Sequence, residues 1–109
     1  MRVFETGATR NVEDGKLDYE GFLSPLVIER YAQYMHKHQK QEDGTYRESD
    51  NWQKGIPKDV YIKSAWRHFF EWWYCHRASF GYQERIIEAL CALLFNVMGY
   101  LHEVLKEEK

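Results

Sequence analysis

Arg67, His68 and Glu71 lie within five residues of one another, among the aromatic residues Trp66, Phe69, Phe70, Trp72 and Trp73. On an α-helix Arg67 and Glu71 are one turn apart and His68 and Glu71 three residues apart, so all three can share a face. A cation, an imidazole and a carboxylate set against apolar walls form a small polar site where charge is felt strongly. Further on, Glu84, Glu88, Ala92 and Asn96 recur at intervals of four and form one line up a helix. Glu88 and Asn96 stand in the most apolar stretch of the chain. A carboxylate and an amide there must be paired, bind a ligand or reach solvent at a cleft. If the two lines face each other across a groove, Glu71, Glu84, Glu88, Asn96 and His68 converge. Oxygen-rich donors of this kind suit Mg²⁺ or Mn²⁺, with nucleotide phosphates and water completing the shell. The plain alternative is a surface Glu84, a Glu88 paired with Arg67 or Arg85, and an Asn96 satisfied at a helix contact.

The elements that would position these residues are helical. Ser24-Pro25 supplies an N-cap and a first-turn proline, and the pattern predicts a helix over 24–40 with Leu26, Val27, Ile28, Tyr31, Ala32, Tyr34 and Met35 as its apolar stripe. Pro57 opens a second helix, 58–77, and Gly81 precedes a third, 82–106. The middle of the third is apolar on nearly every side, which predicts a central helix packed all round. Residues 1–21 show no helical period and read as an irregular arm with turns at Gly7-Ala8-Thr9-Arg10 and Asp14-Gly15-Lys16. Turns of this kind can aim N–H groups and a cation at a phosphate. The 41–57 stretch reads as a long polar loop, docked through Trp52, because a large ring gains little in water.

Bulk properties narrow the class. A chain of 109 residues with 44% hydrophobic and 17% aromatic content makes one all-α domain with a real core. Three helices are a thin shell for the apolar third helix, so a homodimer or higher homo-oligomer is expected. The net charge of −2 gives no basic field for duplex nucleic acid. Cys75 and Cys91 read as reduced core thiols, and the histidines and cysteines match no structural zinc spacing. The first residues, Met1-Arg2-Val3-Phe4-Glu5, carry no leader pattern. The Ala89–Leu101 run, broken by Asn96 and Gly99, is too short to span a bilayer. A cytoplasmic protein without a membrane partner is the expectation.

Taken in order, Gly7 and Arg10, Gly15 and Lys16, then Asn51, Trp52, Lys54 and Gly55, then Arg67 and His68, then Glu88 and Asn96 resemble a phage family. It is the dATP/dGTP diphosphohydrolase domain family, similar to all-α, MazG-like nucleotide pyrophosphohydrolases. The similarity covers nearly the whole chain. Family members tend to show Glu-Asp-His ahead of the Leu-Ala run, where this chain has Ile87-Glu88-Ala89. One acid is kept and one replaced, so a two-carboxylate site would need Glu84 or Glu71.

The resemblance implies a Mg²⁺-dependent (deoxy)nucleoside triphosphate diphosphohydrolase that releases pyrophosphate and a monophosphate. Glu71, Glu84 and Glu88 would hold metal, and Glu71, Glu88 and His68 would serve catalysis. Arg10, Lys16, Asn51, Trp52, Lys54, Arg67 and Asn96 would hold the nucleotide. In a phage-encoded chain the setting would be the host cytoplasm. The alternative is a protein that sequesters a nucleotide or cyclic nucleotide without cutting it, favoured by Ile87. A third is a helical partner protein whose aromatic surface is its interface.

Overall fold

The computed structural model describes residues 1–11, 15–78 and 81–108. It is all-α apart from one two-stranded hairpin. The hairpin pairs β1 (Arg2–Val3) antiparallel with β2 (Thr9–Arg10). Gly7, at φ 88°, makes its turn, a backbone conformation that glycine adopts without a Cβ penalty. Of the two turns expected in the arm, Asp14 of the second lies outside the described residues.

Helix α1 (Tyr19–Phe22) is a single turn inside the stretch expected to be irregular. The Asp18 carboxylate accepts from the Gly21 N–H at 2.9 Å and caps it, so a local side-chain bond replaces the missing period. Helix α2 spans Pro25–Lys37 and starts as the sequence indicates, with the Ser24 hydroxyl accepting from the Val27 N–H at 3.2 Å. It stops three residues short of Lys40, and the His38 N–H bonds back to the Met35 carbonyl.

The 38–57 connection is more ordered than a polar loop. Lys40 bridges Tyr46, Gln41 N–H donates to the Thr45 carbonyl, and Arg47 N–H donates to the Gln39 carbonyl. Asp43 closes the turn by accepting from both the N–H and the hydroxyl of Thr45. A 3₁₀ turn over Asn51–Lys54 follows.

Helix α3 (Lys58–Ala78) and helix α4 (Gln83–Glu107) form an antiparallel hairpin, and α2 lies against α4. The tightest point of the hairpin is Gly99. A Cβ built there would sit 2.3 Å from the Tyr61 ring, so the two helices meet ring against backbone. Tyr61, Cys75, Ala89, Cys91, Ala92 and Asn96 are the buried centre around it.

Two features of α4 stand beside the expectations. Helix α4 is not covered on all sides: Val97, Leu101 and Leu105 are each about half exposed. The uncharged run is Ala89–Leu101, bounded by Glu88 and by His102-Glu103. Over its 25 residues α4 is long and apolar enough, by length and composition, to cross a membrane. Ile86, Ile87, Val104 and Leu105 extend the apolar character beyond both ends of the central run.

Candidate functional site

The residues singled out by spacing do converge, on two adjoining grooves. The larger, about 610 Å³, lies among α2, the 47–52 segment, α3 and α4. The smaller, about 280 Å³, lies where α2, α3 and the start of α4 meet. Tyr34, His38 and His68 border both, so they form the wall between them.

Trp52 reaches the larger groove because the 3₁₀ turn presses it against α4. Its ring meets Phe95 edge-on at 6.1 Å and His102 at 4.8 Å. The expected docking of the loop is therefore met by ring contacts. Asn51, Arg67, His68 and Asn96 line the same groove. The Asn96 amide donates to the Ala92 carbonyl at 2.8 Å, folding back onto its own helix, and only one N–H and its carbonyl oxygen are left to address a ligand. Arg47, Ser49 and Tyr34 also border this groove and were not foreseen. Tyr34 and His38 are one helical turn apart, at the end of α2 and at its C-cap, and their rings meet at 4.4 Å. Arg47 was hidden because only the hairpin at 39–47 turns it inward.

Arg47 and Arg67 have no carboxylate partner among the described residues. They leave two uncommitted guanidinium groups on the rim of an aromatic groove, with Glu48 the one acid beside them. A guanidinium carries a planar fork of donors that matches phosphate oxygens. The Tyr61 hydroxyl is buried with no hydrogen-bond partner among the described residues.

The smaller groove carries His68, Glu71, Glu84 and Glu88, the set that spacing proposed for catalysis and metal. Here each carboxylate is already engaged. Arg30 pairs with Glu84 and Lys37 with Glu88, both from α2 to α4. Glu71 accepts from Arg85 Nε at 2.6 Å and from its Nη2 at 2.5 Å, and from the Cys75 thiol at 3.9 Å. The partners differ from those foreseen for Glu88: Lys37 takes it, and Arg85 turns to Glu71. Among the described residues no three His, Cys, Asp or Glu side chains are grouped to hold a metal ion. As arranged, these carboxylates are each paired with a cation of the same chain.

Burial and the neighbouring Arg67 cation hold His68 below the ordinary imidazole range, and Glu71 only partly opposes them. His68 is thus neutral at pH 7 and able both to donate and to accept. Burial, with Glu88 nearby, pushes the Cys91 thiol up, which disfavours its thiolate. Three of the expected phosphate contacts fall elsewhere. Arg10 is exposed in β2 opposite Arg2, Lys16 is exposed in the arm, and Lys54 is exposed at the end of the 3₁₀ turn. None of the three borders either groove.

Comparison with protein-family models, curated proteins and solved structures finds no match.

Proposed function

We propose that this chain is a nucleotide-binding protein whose site is the larger groove. The observation that carries the reading is the pairing of Trp52 with two uncommitted guanidinium groups, Arg47 and Arg67, around a space of about 610 Å³. That volume falls in the range of small-molecule sites, roughly 300–1,000 Å³. The aromatic wall accepts a base by stacking, worth ~1–3 kcal/mol. Arg47 and Arg67 take the phosphates, and Asn51, Ser49 and the free edge of Asn96 supply hydrogen bonds to base or sugar. The class of ligand is a nucleoside phosphate, linear or cyclic. Binding without cleavage is favoured over hydrolysis because Glu71, Glu84 and Glu88 are neutralised by cations of the same chain.

The hydrolase reading keeps one observation in its favour, that His68, Glu71, Glu84 and Glu88 border one groove beside the nucleotide space. Incubation with a panel of linear and cyclic nucleotides, with and without Mg²⁺, followed by mass spectrometry of bound and released species, separates the readings. A nucleotide recovered intact on the protein is expected, together with binding weakened ~10–100-fold in Arg67→Ala, the size of a lost charged hydrogen bond. Monophosphate plus pyrophosphate, lost in Glu88→Ala, would instead establish the diphosphohydrolase. No bound species at millimolar nucleotide would remove both and leave the helical partner protein.

A further inference from the structure

Helix α3 carries two apolar stripes. One runs through Tyr61, Ala65, Trp72 and Cys75 and faces α4. The other, Ile62, Trp66, Phe69 and Trp73, is spaced 4, 3, 4 and is 45–67% exposed. Helix α4 repeats the pattern. Its inner side holds Ala89, Ala92, Asn96 and Gly99. A second line, Ile87, Leu90, Leu94, Val97, Leu101 and Val104, is spaced 3, 4, 3, 4, 3 and contains no charge. Spacing of this kind is the signature of a seam against another helix. No described helix of this chain fills either outer seam: Leu90, Val97 and Leu101 remain 38–54% exposed.

The areas say how much is missing. A compact chain of 13.2 kDa exposes about 6,400 Å², whereas this one exposes 9322 Å². The radius of gyration is 19.0 Å, against about 13 Å for a compact domain of this length. The arm contributes to both excesses, but the two outer seams belong to the hairpin. An obligate homodimer interface takes roughly 1,000–2,500 Å² from each subunit, which the excess of about 2,900 Å² can supply.

We infer that a second copy of this chain covers the outer seams of α3 and α4, so that two hairpins close into one helical bundle. An apolar, uncharged face is complementary to itself, as a two-fold contact requires. Lipid is the rival cover, since α4 alone is long and apolar enough to cross a bilayer. It fails on α3, which packs along α4 and would carry Lys63, Arg67 and Glu71 to the same depth, where charge is expensive. The inference does not depend on the nucleotide reading.

Light scattering after gel filtration, with no detergent, tests it. Expected is a mass twice the 13.2 kDa of the chain, with a melting temperature that rises over a hundredfold increase in protein concentration. Leu101→Glu should abolish the dimer, whereas Gln33→Glu on exposed helix α2 should leave it intact. If Leu101→Glu does not fold, the concentration dependence of the wild-type melting temperature decides. A wild-type monomer with a melting temperature independent of concentration overturns the proposal. So does a dimer that survives Leu101→Glu, or a chain recovered folded only in detergent.

Discussion

Gly99 is the residue where packing overrides local preference. In most helix interiors Gly→Ala stabilises by ~1 kcal/mol. At Gly99 the new methyl would lie 2.3 Å from the Tyr61 ring, which is rigid and enclosed. Gly99→Ala should therefore destabilise by ~1–3 kcal/mol, measured by urea unfolding, and a stabilised variant would show that the hairpin is looser there. His68 gives a second prediction. Its imidazole is depressed by burial and by Arg67, so the unfolded chain binds a proton before the folded one does. Stability from this group is complete above the unfolded value, about 6.5, and is lost as pH falls through the window below it. The midpoint of unfolding should drop between pH 7.5 and 5.5, and His68→Gln should flatten that slope. An unchanged slope in the variant would place the acid sensitivity elsewhere.

Between elements, α2 is held to the hairpin by its half-buried Tyr31, Tyr34 and Met35 and by two charge pairs. Arg30–Glu84 and Lys37–Glu88 join α2 to α4 at two points one helical turn apart on α4. Both pairs are part-exposed, so each is worth only ~0–1 kcal/mol and is screened by salt. Lys37→Ala should cost less than ~1 kcal/mol at low salt and close to nothing at 0.5 M NaCl. Removing Lys37 also frees Glu88. If metal sensitivity appears in Lys37→Ala by calorimetry and is absent in the wild type, the ion pair is what keeps the carboxylate from a cation. The 39–47 hairpin acts differently, because its backbone bonds and the Asp43–Thr45 turn place Arg47 on the groove rim.

For the whole molecule the arithmetic of surface dominates. Two seams per helix, with one seam of each left open, are what the proposed second copy would cover. The same apolar face gives α4 the length and composition of a membrane span, and α3 beside it supplies the charges that argue for protein as its cover. The grooves lie on the α2 side of the hairpin, away from the open seam of α4. Nucleotide binding and self-association should then be separable, with Arg67→Ala affecting the first and Leu101→Glu the second.

Much of the helical plan was legible in the sequence, because it is set by local chemistry. Ser24-Pro25 starts α2, Gly81 breaks α3 from α4, and the four-residue interval from Glu84 to Asn96 puts those side chains in line. The same periodicity put His68 and Glu71 on one face and Glu84 and Glu88 on another, and the tertiary structure brought those faces to one groove. What only the tertiary structure decided was the pairing of charges and the reach of the arm. Sequence spacing says which acids share a face, but not that Arg30 and Lys37 on another helix arrive opposite them. Nor does it say that Arg10 and Lys16 fall outside the grooves, or that Arg47 is turned in. Partner choice among exposed charges depends on three-dimensional approach within a few ångströms, and no local pattern encodes that.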